Sequence, residues 1–160
     1  MRPDDERIPD SFEIARKMSL SYSFGIANLT SAHPNSVVPE VKGKSGRTLE
    51  VQACSLGGGR IMINRLDGLD VNCSCEIPTL IVHNLDQPGH VAEVTSMLAH
   101  KSVNIANMSL YRDKRGGSAV MVVEMDQPLP KESLEWLEHL EGIVKVTYIN
   151  VTEGEEDDVL

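Results

Sequence analysis

Aromatic residues are scarce in this chain: two Phe, three Tyr and one Trp among 160 residues. Any core must therefore be built mostly from Val, Ile, Leu and Met. No apolar run approaches the roughly 20 residues a bilayer span requires, which argues against a membrane partner. The opening Met1-Arg2-Pro3-Asp4-Asp5-Glu6 contains no apolar stretch and does not read as a signal peptide. Basic residues are outnumbered, 15 Lys and Arg against 24 Asp and Glu, for a net charge of −9. A nucleic-acid partner is excluded on that ground, since phosphate binding wants a basic face. Three cysteines, an odd number without secretory context, point to a reducing cytoplasm. What is present is globular: 41% hydrophobic residues, in a length that suits one ordinary domain or two small ones.

The second half is the easier to read. Thr79 to Val82 is a buried-strand run, and Val91, Val94, Thr95, Leu98 and Ala99 recur at helical spacing. Pro88 belongs in the first turn of that helix, with Asp86 or Gln87 at its cap. Val103 to Tyr111 is a strand whose apolar phase slips from Val103/Ile105 to Ala106/Met108/Leu110, predicting a bulge or twist near Ile105. Asp113 to Gly117 is a hairpin loop, and Ala119 to Met125, apolar on both faces, is a central strand. Pro128 and Pro130 precede a short helix marked by Leu134, Leu137 and Leu140. Gly142 ends that helix, and Ile143 to Val151 returns as a strand. The order is βαββαβ, a ferredoxin-like split sandwich with one helix-covered face as its core.

The first half is less regular. Ser11 to Met18 reads as a short helix. Tyr22–Leu29, Val37–Val41, Thr48–Leu56, Ile61–Leu66 and Leu69–Cys73 read as strands, with His33-Pro34-Asn35, Lys42–Gly46 and Gly57-Gly58-Gly59 as turns. The class is α+β. A β-rich lobe over 1–76 is near the lower size limit for independent folding and is expected to lean on the second lobe or on another chain. A short junction at Glu76–Pro78 leads into the second lobe, 78–151, and an acidic solvated tail occupies 152–160.

Leu85-Asp86-Gln87-Pro88-Gly89-His90 is the segment that says most about function. A Pro-Gly turn between strand and helix leaves backbone N–H groups uncovered beside Asn84 and Asp86. A small zwitterion needs that pairing: N–H donors for its carboxylate, carboxylate or amide oxygens for its amine. The plainer reading makes Asp86 a helix cap worth about 1 kcal/mol and Asn84 a turn residue. His90, just inside the helix, either contacts a bound carboxylate or lies on a solvated face. Gly57-Gly58-Gly59-Arg60 is an anion-binding turn in one reading and a hairpin in the other; the hairpin is preferred because no phosphate-loop Lys-Ser/Thr follows. Cys73-Ser74-Cys75 places two sulfurs on one strand face, but a cluster takes four thiolates and only Cys54 remains. No metal site and no catalytic residue are assigned, since His33, His83, His90, His100 and His139 are scattered and no nucleophile motif surrounds them.

Asp86-Gln87-Pro88-Gly89, the helix after it and Val103-Asn104-Ile105 resemble an ACT domain, the amino-acid-sensing module. Asp5-Glu6-Arg7-Ile8-Pro9, Ala32-His33-Pro34-Asn35-Ser36-Val37 and Ser55-Leu56-Gly57-Gly58-Gly59-Arg60-Ile61, in that order before it, resemble the β subunit of the iron–sulfur-dependent L-serine dehydratases. The first lobe is thereby similar to an allosteric-substrate-binding domain. The resemblance implies a lyase converting L-serine to pyruvate and ammonia, with a [4Fe-4S] cluster on a separate catalytic α subunit and no cofactor in this chain. It implies a regulatory role, with L-serine or a related amino acid bound by Asn84, Asp86, Pro88, Gly89 and His90, and with Asn104 reaching the effector across a dimer. Unpaired strand edges and a free sheet face point to a homodimer through the ACT half. Family members carry an earlier Ser-Ser-His-Thr segment at the active site; this chain begins after it, so its first lobe is expected to be N-terminally truncated. Two alternatives stand beside this reading: a lobe that completes the active site with the α subunit, and a free-standing amino-acid-binding module.

Overall fold

The protein is described from a computed structural model over residues 5–150; the expected acidic tail (152–160) and Val151 lie outside the described residues. The chain divides into two compact units, 1–32 and 33–160. In the first, a 3-10 turn (Ile8–Asp10) leads into helix α1 (Ser11–Lys17), which has no buried residue. Phe12 stacks on Tyr22 with ring centroids 5.2 Å apart, and Phe24 meets both rings edge-on. The strand expected over Tyr22–Leu29 does not form. Its alternating apolar residues have no neighbouring ladder to pair with, and Phe24 and Ile26 stand 81% and 106% exposed. Apolar alternation becomes a strand only where backbone hydrogen bonds are available.

The second unit holds two antiparallel sheets. The first contains β1 (Ser36–Val37), β2 (Glu40–Lys42), β3 (Thr48–Gly57), β4 (Arg60–Leu66) and β5 (Leu69–Cys73), with β3 pairing β1, β2 and β4. The single strand expected over Val37–Val41 is split at Pro39, which has no N–H for the ladder. The second sheet is the βαββαβ half: β6 (Thr79–Leu85), α2 (His90–His100), β7 (Ile105–Arg112), β8 (Ser118–Met125), α3 (Lys131–Glu138) and β9 (Ile143–Ile149), in spatial order β7-β8-β6-β9. The predicted bulge is present: Ile105 pairs with Met125 but Asn107 with Glu124, leaving Ala106 unpaired.

Both faces of this sheet are buried. On one, Leu80, Val82, Met121, Val123, Met125 and Val146 pack under Val94, Met97 and Leu98 of α2 and Leu137 of α3. On the other, Ile81, Val120 and Val122 meet Ile63, Leu66, Val71 and Cys73 of the first sheet and Cys75 just beyond it. The expectation of one helix-covered core with a free sheet face is therefore corrected. Strands apolar on both sides require cover on both, and the first sheet supplies it. That packing holds the first sheet, with each fully buried aliphatic side chain contributing roughly 1.5–3 kcal/mol. The edge strand β9 is not bare either, for the Arg47 guanidinium donates to the carbonyl oxygen of Val146.

Candidate functional site

The C-terminal end of β6 gathers the residues singled out in the sequence. Its side chains alternate, so Leu80 and Val82 pack under the helices while Ile81 packs on the first sheet, and the register with β9 shifts between His83 and Asn84. Asn84 is buried; its Nδ2 donates to the Leu85 carbonyl at 2.6 Å, and its Oδ1 is buried without a partner. Asp86 does not cap α2. Its Oδ2 accepts hydrogen bonds from the Gly116 amide (2.9 Å) and from Arg112 (3.1 Å), both on the β7–β8 hairpin. Those bonds, the Gly116 amide first, hold its carboxyl below the usual carboxylate range.

Helix α2 accordingly starts two residues later than the sequence indicates. Gly89 is the N-cap, Pro88 precedes the helix, and no side chain caps it. Gly89 has φ +109°, a conformation that L side chains rarely adopt, so glycine is required at this turn. The earliest helical bond runs from the Glu93 amide to the Gly89 carbonyl, so the amides of the first turn point outward with no helical acceptor. His90 is buried beside them. Its Nδ1 lies 3.3 Å from Glu93 Oε2, and its Nε2 is buried without a partner. The ring fits only because residue 142 is glycine: a Cβ there would sit 2.5 Å from His90 Nε2. The β6–α2 segment thus carries uncovered first-turn N–H donors, a buried amide oxygen and a buried imidazole nitrogen, all without a partner. This arrangement can hold a small carboxylate with an adjacent donor–acceptor group.

Asn104 is elsewhere. It precedes β7, which runs parallel to β6 with β8 between them, so it lies at the opposite end of the sheet from Asn84. Its Nδ2 donates to Asp126 Oδ2 at 2.5 Å, and its amide donates to Gln127 Oε1 at 2.7 Å. Gly57, Gly58 and Gly59 belong to the β3–β4 turn, where Arg60 pairs with Glu76 at 3.4 Å.

One neighbouring constellation was not singled out in the sequence. An open depression of about 280 Å³ shares Asn84 with that site and is lined further by Asp67, Leu69, His83, Asp113 and Val144. Asp67 accepts from the Glu50 amide (2.9 Å) and from Lys145, and lies 3.5 Å from His83 Nε2. Burial pushes the His83 pKa below its ordinary value, with Lys145 and Arg47 adding to that and Asp67 opposing it. The only signal in the sequence was the Asp67-Gly68 turn, and nothing placed it opposite a histidine of the other sheet.

Residues 78–141 match the ACT domain family. Over 145 residues the chain is 32% identical to the probable L-serine dehydratase, beta chain, of Bacillus subtilis (strain 168), covering 91% of this chain and 66% of that protein. Over 150 residues it is 30% identical to the L-serine dehydratase, beta chain, of Peptoniphilus asaccharolyticus, covering 93% and 68%. It is also 31% identical over 90 residues to D-3-phosphoglycerate dehydrogenase of Methanocaldococcus jannaschii, covering 56% of this chain and 17% of that enzyme. The chain spans about two thirds of the length of the two beta chains.

Proposed function

The chain belongs to the L-serine dehydratase beta-chain family, and from that premise we propose that it is the regulatory portion of such a dehydratase, sensing L-serine or a related amino acid through its ACT domain. The observation that carries this reading is the uncapped start of α2 together with the buried, unpartnered Oδ1 of Asn84 and Nε2 of His90 in the same segment. The effector's carboxylate would take the first-turn amides, and its amine and hydroxyl would take the Asn84 and His90 atoms. Asp86 acts at one remove, fixing the loop against the β7–β8 hairpin through Arg112.

Regulation follows by linkage. An amino acid that binds one arrangement of the assembly more tightly shifts the population by that difference, commonly about 1–3 kcal/mol. Because Asn104 lies at the far end of its own sheet, it would reach a site only from a second copy, so the proposed assembly is a homodimer through the ACT half. Catalysis is assigned to a separate α subunit in the cytoplasm. Three cysteines fall short of the four thiolates a [4Fe-4S] cluster takes. Among the described residues no three potential ligands converge, so the cluster is not fitted to this chain.

Titration calorimetry with the chain and each of the twenty amino acids tests the reading. L-serine is expected to bind, and Asn84→Ala is expected to weaken it by about tenfold or more, the worth of one hydrogen bond to a charged group. No heat from any amino acid would overturn the sensor role.

A further inference from the structure

The β5–β6 junction carries a pair of thiols that the proposed function does not use. Cys73 ends β5, Cys75 lies two residues on, and their sulfurs are 3.1 Å apart. Both residues are buried, 2% and 6% exposed, against Ile81, Val120 and Val122 of the second sheet. In an extended strand, Cα atoms two residues apart stand roughly 6.6 Å from each other. A disulfide tolerates Cα separations up to about 6.8 Å, so that spacing is at its wide limit. Here the chain is bent: Cys75 has φ +54°, a left-handed conformation that costs a non-glycine residue energy. The bend turns the two side chains toward each other. Closing the remaining gap to an S–S bond of about 2.05 Å takes a movement on the order of 1 Å.

We propose that Cys73 and Cys75 are a site of oxidative modification, forming a reversible intrachain disulfide at the junction between the two sheets. The two thiols differ. The two sulfurs share one hydrogen bond, which lowers the Cys73 pKa, while that bond and burial raise the pKa of Cys75. Cys73 is thus the attacking sulfur and Cys75 the resolving one. Burial restricts the oxidant to a small molecule, and hydrogen peroxide is the class that fits. The Cys73 thiolate attacks one peroxide oxygen, the O–O bond breaks, and a sulfenic acid forms as hydroxide leaves. The Cys75 sulfur then displaces the sulfenic hydroxyl, which departs with the thiol proton as water. The hydroxide released first takes up the other proton. In total, two thiols and one peroxide give one disulfide and two waters.

The test uses the full chain. It is exposed to hydrogen peroxide, quenched with catalase, unfolded, alkylated with iodoacetamide and digested with trypsin for mass spectrometry. The peptide Leu66–Lys101 holds both cysteines. It is expected to appear without alkyl groups and lighter by two hydrogens, with alkylated thiols falling from three to one. Dithiothreitol should restore all three. A peptide that still carries two alkyl groups after peroxide would overturn the proposal, as would a disulfide between chains or one that involves Cys54.

Discussion

Asp86 carries two hydrogen bonds on one carboxylate oxygen, and both lead to the neighbouring hairpin rather than to the helix it precedes. Asp86→Ala should therefore loosen the Asp113–Gly117 turn. Hydrogen exchange is expected to show the Gly116 amide losing protection, while the first turn of α2 is unchanged. His83 makes a prediction in pH. Burial among Asp67, Lys145 and Arg47 keeps it neutral with a folded pKa below the ordinary 6.5. Between those two values the unfolded chain binds more protons, so stability should fall as pH drops below about 6.5 and level off beneath the folded pKa. Melting temperatures across that range should show the slope, and His83→Gln should flatten it. Gly142→Ala would drive a Cβ into the His90 ring from a backbone at φ +80°. A loss of about 1–3 kcal/mol is expected in denaturant unfolding. Adding His90→Ala should return the steric part and leave the backbone strain.

At the level of elements, the second half was legible because its periodicities are long and its breaks are chemical. Ala119–Met125 is apolar at every other position on both sides, and β8 is indeed central. The slip in phase after Ile105 is the observed bulge. The start of α2 was misplaced because two competing interactions were invisible: Asp86 prefers Arg112 and the Gly116 amide, both remote in sequence, to the helix amides. Tyr22–Leu29 failed for a different reason, since strand character depends on a pairing partner that no local pattern reports. The loop that forms the candidate site was identified from its own residues, whereas Asp67, His83 and Lys145 meet only through the packing of two sheets. That packing is itself testable. Leu80→Ala should cost about 2–5 kcal/mol, because Leu80 is fully buried in the core beneath the helices.

For the molecule as a whole, the first sheet covers the face of the ACT sheet that the helices leave open, so a second copy has edges and helices to meet but not that face. A ligand held, as proposed, by the loop after β6 would reach the first sheet through β6, where Leu80 and Val82 meet the helices and Ile81 meets that sheet. In the proposed function the bare amides at the start of α2 receive the carboxylate of an amino acid. Amide resonances followed during an L-serine titration test it most directly. Saturable shifts are expected at His90, Val91 and Ala92 and at the Asn84 side-chain amide. Saturable binding that leaves those signals in place while others move would contradict it.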